Sequence, residues 1–314
     1  MKLGLNLVRV RPDRMPALAA RAEALGYESV FVPDHVVLPV EFASRYPGTE
    51  DGSFPYGHAV GLYDPWTLLT TIGIATSRIR LGTAVYLLAL RHPIVTARHA
   101  VTLEALVGGR LVLGVGVGWL TEEFSALGLD PRTRFSRAEE AARALRRLWT
   151  DPEPSFTGRH FTFGPVHLEP KPVSTPHPPI LFGGDSDAAL RRALRLGDGW
   201  ISGGVAGSTD EVAALLARLA AIRADVRSEG VDGLDPDRPF GITILHPSPT
   251  PADVARMADL GVERVVVMPW ARSADAPEAI ERFVAALSPL IEIDSGESPA
   301  VPTDRGGRDG APAS

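Results

Sequence analysis

Three groups of residues offer chemistry. Asp34-His35 follows the apolar run Ser29 to Val32. An imidazole can give or take a proton near neutral pH, and Asp34 could orient it or bind a cofactor; a purely structural histidine is the alternative. Asn6, at the end of the first apolar run, reaches toward the same space. The second group, Gly183-Gly184-Asp185-Ser186, lies between a strand candidate and a helix candidate. Glycines let backbone N–H groups approach an anion, and a helix N-terminus adds its positive dipole end. A plain turn with Ser186 as N-cap is the alternative, and Asp185 would repel a phosphate unless it points away. The third group, Gly114 to Trp119, places glycine at alternate positions near a strand end. That spacing differs from a dinucleotide fingerprint. The small residues at Gly116, Val117 and Gly118 either leave room for a planar ring or relieve a crowded rim.

Other chemistries lack their residues. The chain has no cysteine, so disulfides, thiolate metal sites and a cysteine nucleophile are excluded. His92 and His99 fall on one helix and His160, His167 and His177 in one irregular segment, none at tight ligand spacing, so no metal is expected. No Gly-x-Ser-x-Gly elbow occurs. A net charge of −6 without a basic block argues against nucleic acid. The N-terminus turns polar too soon for a signal peptide, and no apolar run approaches the roughly 18 residues of a membrane span. A cytoplasmic protein acting on a small molecule is expected.

The elements that must position these groups alternate. Strand candidates are Leu3 to Val8, Ser29 to Val32, Arg80 to Tyr86, Leu111 to Val117, Pro179 to Phe182, Gly199 to Ser202, Phe240 to Leu245 and Val262 to Met268. The helices between and after them are Met15 to Leu25, one opening at Asp64-Pro65, Pro93 to Leu106, Arg137 to Trp149, Asp187 to Leu196, Asp210 to Arg227, Pro251 to Leu260 and Pro277 to Leu290. Continuous apolar strands alternating with helices imply a parallel sheet covered on both faces. Eight units favour closure into an α/β (β/α)8 TIM barrel over an open doubly wound sheet, as one domain over residues 1–294. Two segments break the rhythm. Residues 36–63 form a long loop after the second strand, rich in aromatics (Phe42, Tyr46, Phe54, Tyr56, Tyr63) with His35 and His58, and placed for a lid. Residues 151–177 read as a small hairpin insertion. The tail 295–314, without periodicity, reads as disordered.

Several motifs then line up: Val32-Pro33-Asp34-His35; Arg80-Leu81-Gly82-Thr83-Ala84-Val85 with Arg91-His92-Pro93; Gly109 to Trp119; Pro179 to Ser186; and Gly197-Asp198-Gly199-Trp200. Their order and spacing over roughly residues 2 to 290 resemble the luciferase-like monooxygenase superfamily, in particular its deazaflavin-dependent oxidoreductases. Ser44-Arg45-Tyr46-Pro47 followed by Asp51-Gly52-Ser53-Phe54-Pro55 is similar to a lid of actinobacterial-type members of that subgroup. The resemblance implies a barrel of the bacterial-luciferase type that uses coenzyme F420, with FMN as the alternative, to transfer a hydride to or from a small organic substrate. It implies a non-proline cis peptide at Ala84-Val85, so that Thr83-Ala84-Val85 bulges behind the deazaflavin. Ring packing then falls on Gly116, Val117 and Gly118, the phosphate on Gly183, Gly184, Asp185 and Ser186, and proton transfer or ring hydrogen bonding on His35, with Asn6 and Asp34 beside the cofactor. Sugar-phosphate dehydrogenases of the family carry an acid where this chain has Trp119, which disfavours that substrate class. Apolar helices two and three, with the family's habit, imply a homodimer. An FMN-dependent monooxygenase and a non-catalytic ligand-binding barrel are the competing readings.

Overall fold

The computed structural model describes residues 1–49, 51–57, 61–204, 207–229 and 238–287. Its strands are β1 (Lys2–Asn6), β2 (Ser29–Val32), β3 (Arg80–Thr83), β4 (Tyr86–Leu87), β5 (Leu111–Gly116), β6 (Phe156–Thr157), β7 (Thr162–Phe163), β8 (Ile180–Gly183), β9 (Gly199–Ile201), β10 (Gly241–Leu245) and β11 (Arg264–Val267). The helices are α1 (Met15–Ala24), α2 (Pro65–Ile74), α3 (Pro93–Val107), α4 (Thr121–Ala126), α5 (Arg134–Thr150), α6 (Asp187–Leu196), α7 (Thr209–Ser228), α8 (Pro251–Asp259) and α9 (Ala276–Leu287). Eight parallel strands, β1-β2-β3-β5-β8-β9-β10-β11, close on themselves, β1 pairing with β11 and β3 with β5. The open-sheet alternative is thereby removed.

Most barrel strands are buried along their length, which explains their unbroken apolar runs. One apolar layer, Phe31, Val112, Leu181, Ile201 and Val266, fills the barrel interior. Gly82 makes room for it, because a Cβ there would lie 2.3 Å from the Phe31 ring. A larger layer packs between barrel and helices. Near the strand starts Arg264 grips Glu28 through two 2.8 Å hydrogen bonds, fixing β11 beside the entry to β2. The interior layer closes the barrel below its C-terminal rim, so a ligand space can form only above it.

Helix starts follow their caps. Asp64 accepts from Thr67 N at 2.9 Å ahead of Pro65, and Ser186 accepts from Ala189 N at 3.2 Å. Four elements differ from the sequence reading. The third strand stops at Thr83 and resumes as β4, interrupted by a cis peptide at Ala84-Val85, as the resemblance implies. The short helix α4 was not foreseen, and α5 begins three residues before the expected Arg137. The first strand ends at Asn6, before the expected Val8. Within 151–177, β6 and β7 pair as an antiparallel hairpin. The last residues of the final expected helix, His58, and the tail 295–314 lie outside the described residues. No helix among the described residues is long and apolar enough to cross a membrane.

Candidate active site

A cavity of about 260 Å³ opens above the interior layer at the C-terminal rim. Residues from the ends of all eight barrel strands, and from the loop after β2, line it. This is where catalytic groups of such barrels collect, since the loops after the strands converge there.

His35 leaves β2 by three residues, and its side chain is 9% exposed. Nδ1 lies 2.8 Å from Glu123 Oε2. Glu123 is fully buried on α4, and its Oε1 accepts from the N–H groups of Val36 at 2.6 Å and Val37 at 3.2 Å. A carboxylate held by two N–H groups accepts from Nδ1–H and so fixes the imidazole tautomer. Nε2 is left without a partner among the described residues and carries the acid–base capacity. Asp34 does not orient the ring. It turns the other way and takes a two-pronged pair from Arg91 (2.5 and 2.7 Å) plus the Leu87 N–H at 2.8 Å. Burial pushes the Asp34 carboxyl above its ordinary range, against the pull of Arg91. This pair ties the end of β2 to the segment after the Ala84-Val85 bulge, with the guanidinium 4.4 Å from the Tyr86 ring centroid.

The glycine spacing on β5 has two explanations. A Cβ on Gly114 would fall 2.0 Å from the Thr83 carbonyl oxygen, which is rim crowding. A Cβ on Gly116 would fall 2.5 Å from Val85 Cγ2, and one on Gly183 3.1 Å from Val85 Cγ1. These absent side chains let the Val85 bulge stand in the cavity with flat, uncluttered surface around it. Asn6, Asp34, Ala84, Val85, Gly116, Val117, Gly118, Gly183 and Gly184 all line the cavity together with His35. Asn6 spends its Oδ1 on the Val8 N–H at 3.0 Å.

Three expected cofactor residues do not line it. Thr83 is buried and donates to the Gly114 carbonyl at 2.7 Å, joining β3 to β5. Ser186 is occupied in capping α6. Asp185 reaches the next strand end and accepts from Gly203 N at 2.8 Å and Gly204 N at 2.7 Å. Burial nonetheless raises its pKa above the usual carboxylate range. Gly184, at φ +117°, holds a conformation that side chains rarely adopt.

The roof is aromatic. Trp119 stacks on Phe54 with centroids 5.6 Å apart, and Tyr46 and Phe42 meet its edge at 5.2 and 5.7 Å. His35 lies 6.0 Å from Trp119 and 6.2 Å from Phe54, both edge-on. Burial pushes the Tyr46 phenol up to about 12, so it stays neutral. Beyond Val36 and Val37, the loop is fastened at two further points. Glu122 accepts from the N–H groups of Ala43 and Ser44 and from the Ser44 hydroxyl. Arg9 donates to the Pro55 carbonyl at 2.7 Å and lies 5.0 Å from the Tyr56 ring centroid.

Sequence reasoning missed Glu123, gave Arg91 no role, and did not single out His246, which also lines the cavity. The acidic pair at Glu122-Glu123, directly after the glycine-rich strand end, was the available signal for α4.

The comparisons agree with this architecture. An uncharacterised protein of Mycobacterium tuberculosis is 37% identical over 92% of this chain and 99% of its own length. An F420-dependent glucose-6-phosphate dehydrogenase of Nakamurella multipartita is 34% identical over 61% of this chain and 52% of its own. An FMNH(2)-dependent dimethylsulfone monooxygenase of Pseudomonas putida is 36% identical over 44% and 38%. Among solved structures, monooxygenase RslO1 of Streptomyces bottropensis matches with a TM-score of 0.71 at 21% identity, over 92% of this chain and 99% of that one. An F420-dependent secondary alcohol dehydrogenase matches with a TM-score of 0.71 at 18% identity, over 91% and 98%; at these identities both show the fold. The family described as luciferase-like monooxygenase matches residues 4–288, and the chain belongs to that family.

Proposed function

We propose that this chain is an oxidoreductase that uses the deazaflavin coenzyme F420 to move a hydride to or from a small organic substrate. The observation that carries the reading is His35, held at Nδ1 by a buried carboxylate, beside a glycine-lined cavity under an aromatic roof. Such a group supplies or removes the one proton that accompanies a hydride when a carbonyl and an alcohol interconvert. The residues fit a planar ring. Val85, Asn6 and Asp34 would hold it, and Gly116, Val117, Gly118 and Gly183 would leave it space. When bound, the deazaflavin supplies the carbon that carries the hydride. His35 exchanges the proton at Nε2, Glu123 sets its direction, and Trp119, Phe54 and Tyr46 keep water from the reacting atoms.

Two points favour the deazaflavin over FMN. One relative carries F420 in its name across the greater share of this chain, 61% against 44% for the FMN-dependent one. Asp185 also already occupies the Gly203 and Gly204 N–H groups. The Gly184 N–H is likewise given to the Ile201 carbonyl, so a phosphate at this turn would fall to the start of α6 with a carboxylate nearby. The phosphate monoester of FMN, a dianion, suffers more from that neighbour than the singly charged diester of F420.

Fluorescence titration of F420 and FMN against the purified protein tests the reading. F420 is expected to bind at least about tenfold more tightly, a difference of about 1.4 kcal/mol. Tighter binding of FMN would overturn the assignment and place the chain with the flavin-dependent monooxygenases.

A further inference from the structure

Among the described residues of the cavity wall, His246 is a titratable side chain with no role so far. It follows β10, its backbone N–H donates to the Val266 carbonyl, and the residue is 8% exposed. Its Nδ1 is shut away from solvent, its one polar neighbour being its own backbone, and no other described residue hydrogen-bonds the ring. Closed to solvent, Nδ1 is closed to a ligand as well, which leaves Nε2, the ring nitrogen not shut away, to meet one in the cavity. The indole Nε1 of Trp119, on the same cavity, is buried without a partner. Burial lowers the His246 pKa, and the acids whose field reaches it, Asp253 of α8 and Glu211 of α7, do not reverse this. The ring is therefore neutral near pH 7, with one N–H donor and one lone pair.

Its position in the barrel says what it meets. Counting round the closed ring from β1, β3 is third and β10 seventh, so they stand opposite. The Val85 bulge after β3 and His246 after β10 thus face one another across the mouth. A cofactor ring backed on Val85 turns its free face toward His246. The wall also carries no lysine or arginine among its described residues, and its carboxylate, Asp34, is committed to Arg91. An anion placed between His246 and the Val85 bulge, away from the glycine turn, would be buried without a countercharge.

We propose that His246 anchors the oxygen of an uncharged carbonyl or alcohol substrate, bound between the cofactor ring and the aromatic lid, and that anionic substrates are refused. Which side of the ring the substrate occupies rests on the function proposed above; the presence of His246 in the ligand cavity does not.

The test uses acetophenone and benzoate, a neutral and an anionic probe of similar size, titrated into the F420-loaded protein and followed by cofactor absorbance. Acetophenone is expected to bind at least about tenfold more tightly than benzoate. His246→Leu should weaken acetophenone about tenfold while leaving the F420 dissociation constant within about twofold. His246→Asn, which retains an N–H donor, should fall between, and it keeps the test alive if the leucine variant does not fold. Equal or tighter benzoate binding, no saturable acetophenone binding, or an unchanged acetophenone affinity in both variants would overturn the proposal. So would a loss confined to F420 affinity, which would make His246 a cofactor ligand. If the wild type takes FMN and not F420, the function proposed above fails. The same comparison on the FMN-loaded protein then decides the role of His246 by itself.

Discussion

Glu123 determines which nitrogen of His35 is available. Its carboxylate sits on Nδ1 and is itself steadied by the Val36 and Val37 N–H groups, so ring and loop are set together. Glu123→Gln keeps the shape but removes the charge, and an amide can present its NH2 to Nδ1 and reverse the tautomer. F420 turnover by this variant should fall about 100-fold, within the range that a positioned acid–base group contributes. The effect should appear in kcat, with KM and the F420 dissociation constant nearly unchanged; an equal loss in F420 affinity would make Glu123 a structural support only. At this scale the sequence was half legible. His35 and Asn6 could be found because residues at strand ends point to the barrel mouth. Of the two roles open to Asp34, orienting His35 fails because neighbours on extended chain face opposite ways. Asp34 turns back to Arg91, more than fifty residues on, while His35 faces a glutamate on a helix too short to show periodicity.

The loop after β2 is held by an acid. Against the upward push of burial, the Ser44 hydroxyl and the N–H groups of Ala43 and Ser44 hold the Glu122 carboxyl down at about 2. The docked loop therefore favours the ionised form. Its stabilisation is complete above the ordinary value of 4.5 and is lost as pH falls from there toward 2. The amide proton shifts of Ala43 and Ser44 should move in that acid window, with a midpoint well below 4.5. Glu122→Gln should abolish the dependence; a midpoint at the ordinary value would show that the contact does not form in solution. Among elements, the eight strand–helix units were legible because burial on both faces writes continuous apolar runs. The break between β3 and β4 could be expected only by resemblance, since Arg80 to Tyr86 reads as one strand. The fastening of the loop was illegible, because two hydrogen-bonding segments nearly eighty residues apart leave no local pattern.

At the scale of the whole molecule, closure of the barrel followed from counting units, and the surface is what remains open. Helices α2 and α3 pack side by side, yet each leaves large apolar side chains outside: Ile74 is 74% exposed, Leu106 58% and Val95 50%. The faces around them are short on charge, with Thr67, Thr71, Ala75, Thr102 and Ala105 exposed beside Arg98 and His99. A solvent-facing barrel helix carries a polar outer stripe, and here Ile74, Val95 and Leu106 interrupt it. We propose that a second copy of the chain covers this face across a two-fold axis, each protomer offering the same α2–α3 patch, as a closed dimer requires. Light scattering at micromolar concentration should then give twice the monomer mass of 33.5 kDa. Ile74→Arg and Leu106→Arg place charge where the two copies meet and should each yield monomers. Because both side chains already face solvent within one protomer, neither change should disturb the barrel, and circular dichroism should be unaltered. A wild-type protein that scatters as a monomer, or arginine variants that remain dimeric, would show that this apolar face is not the contact.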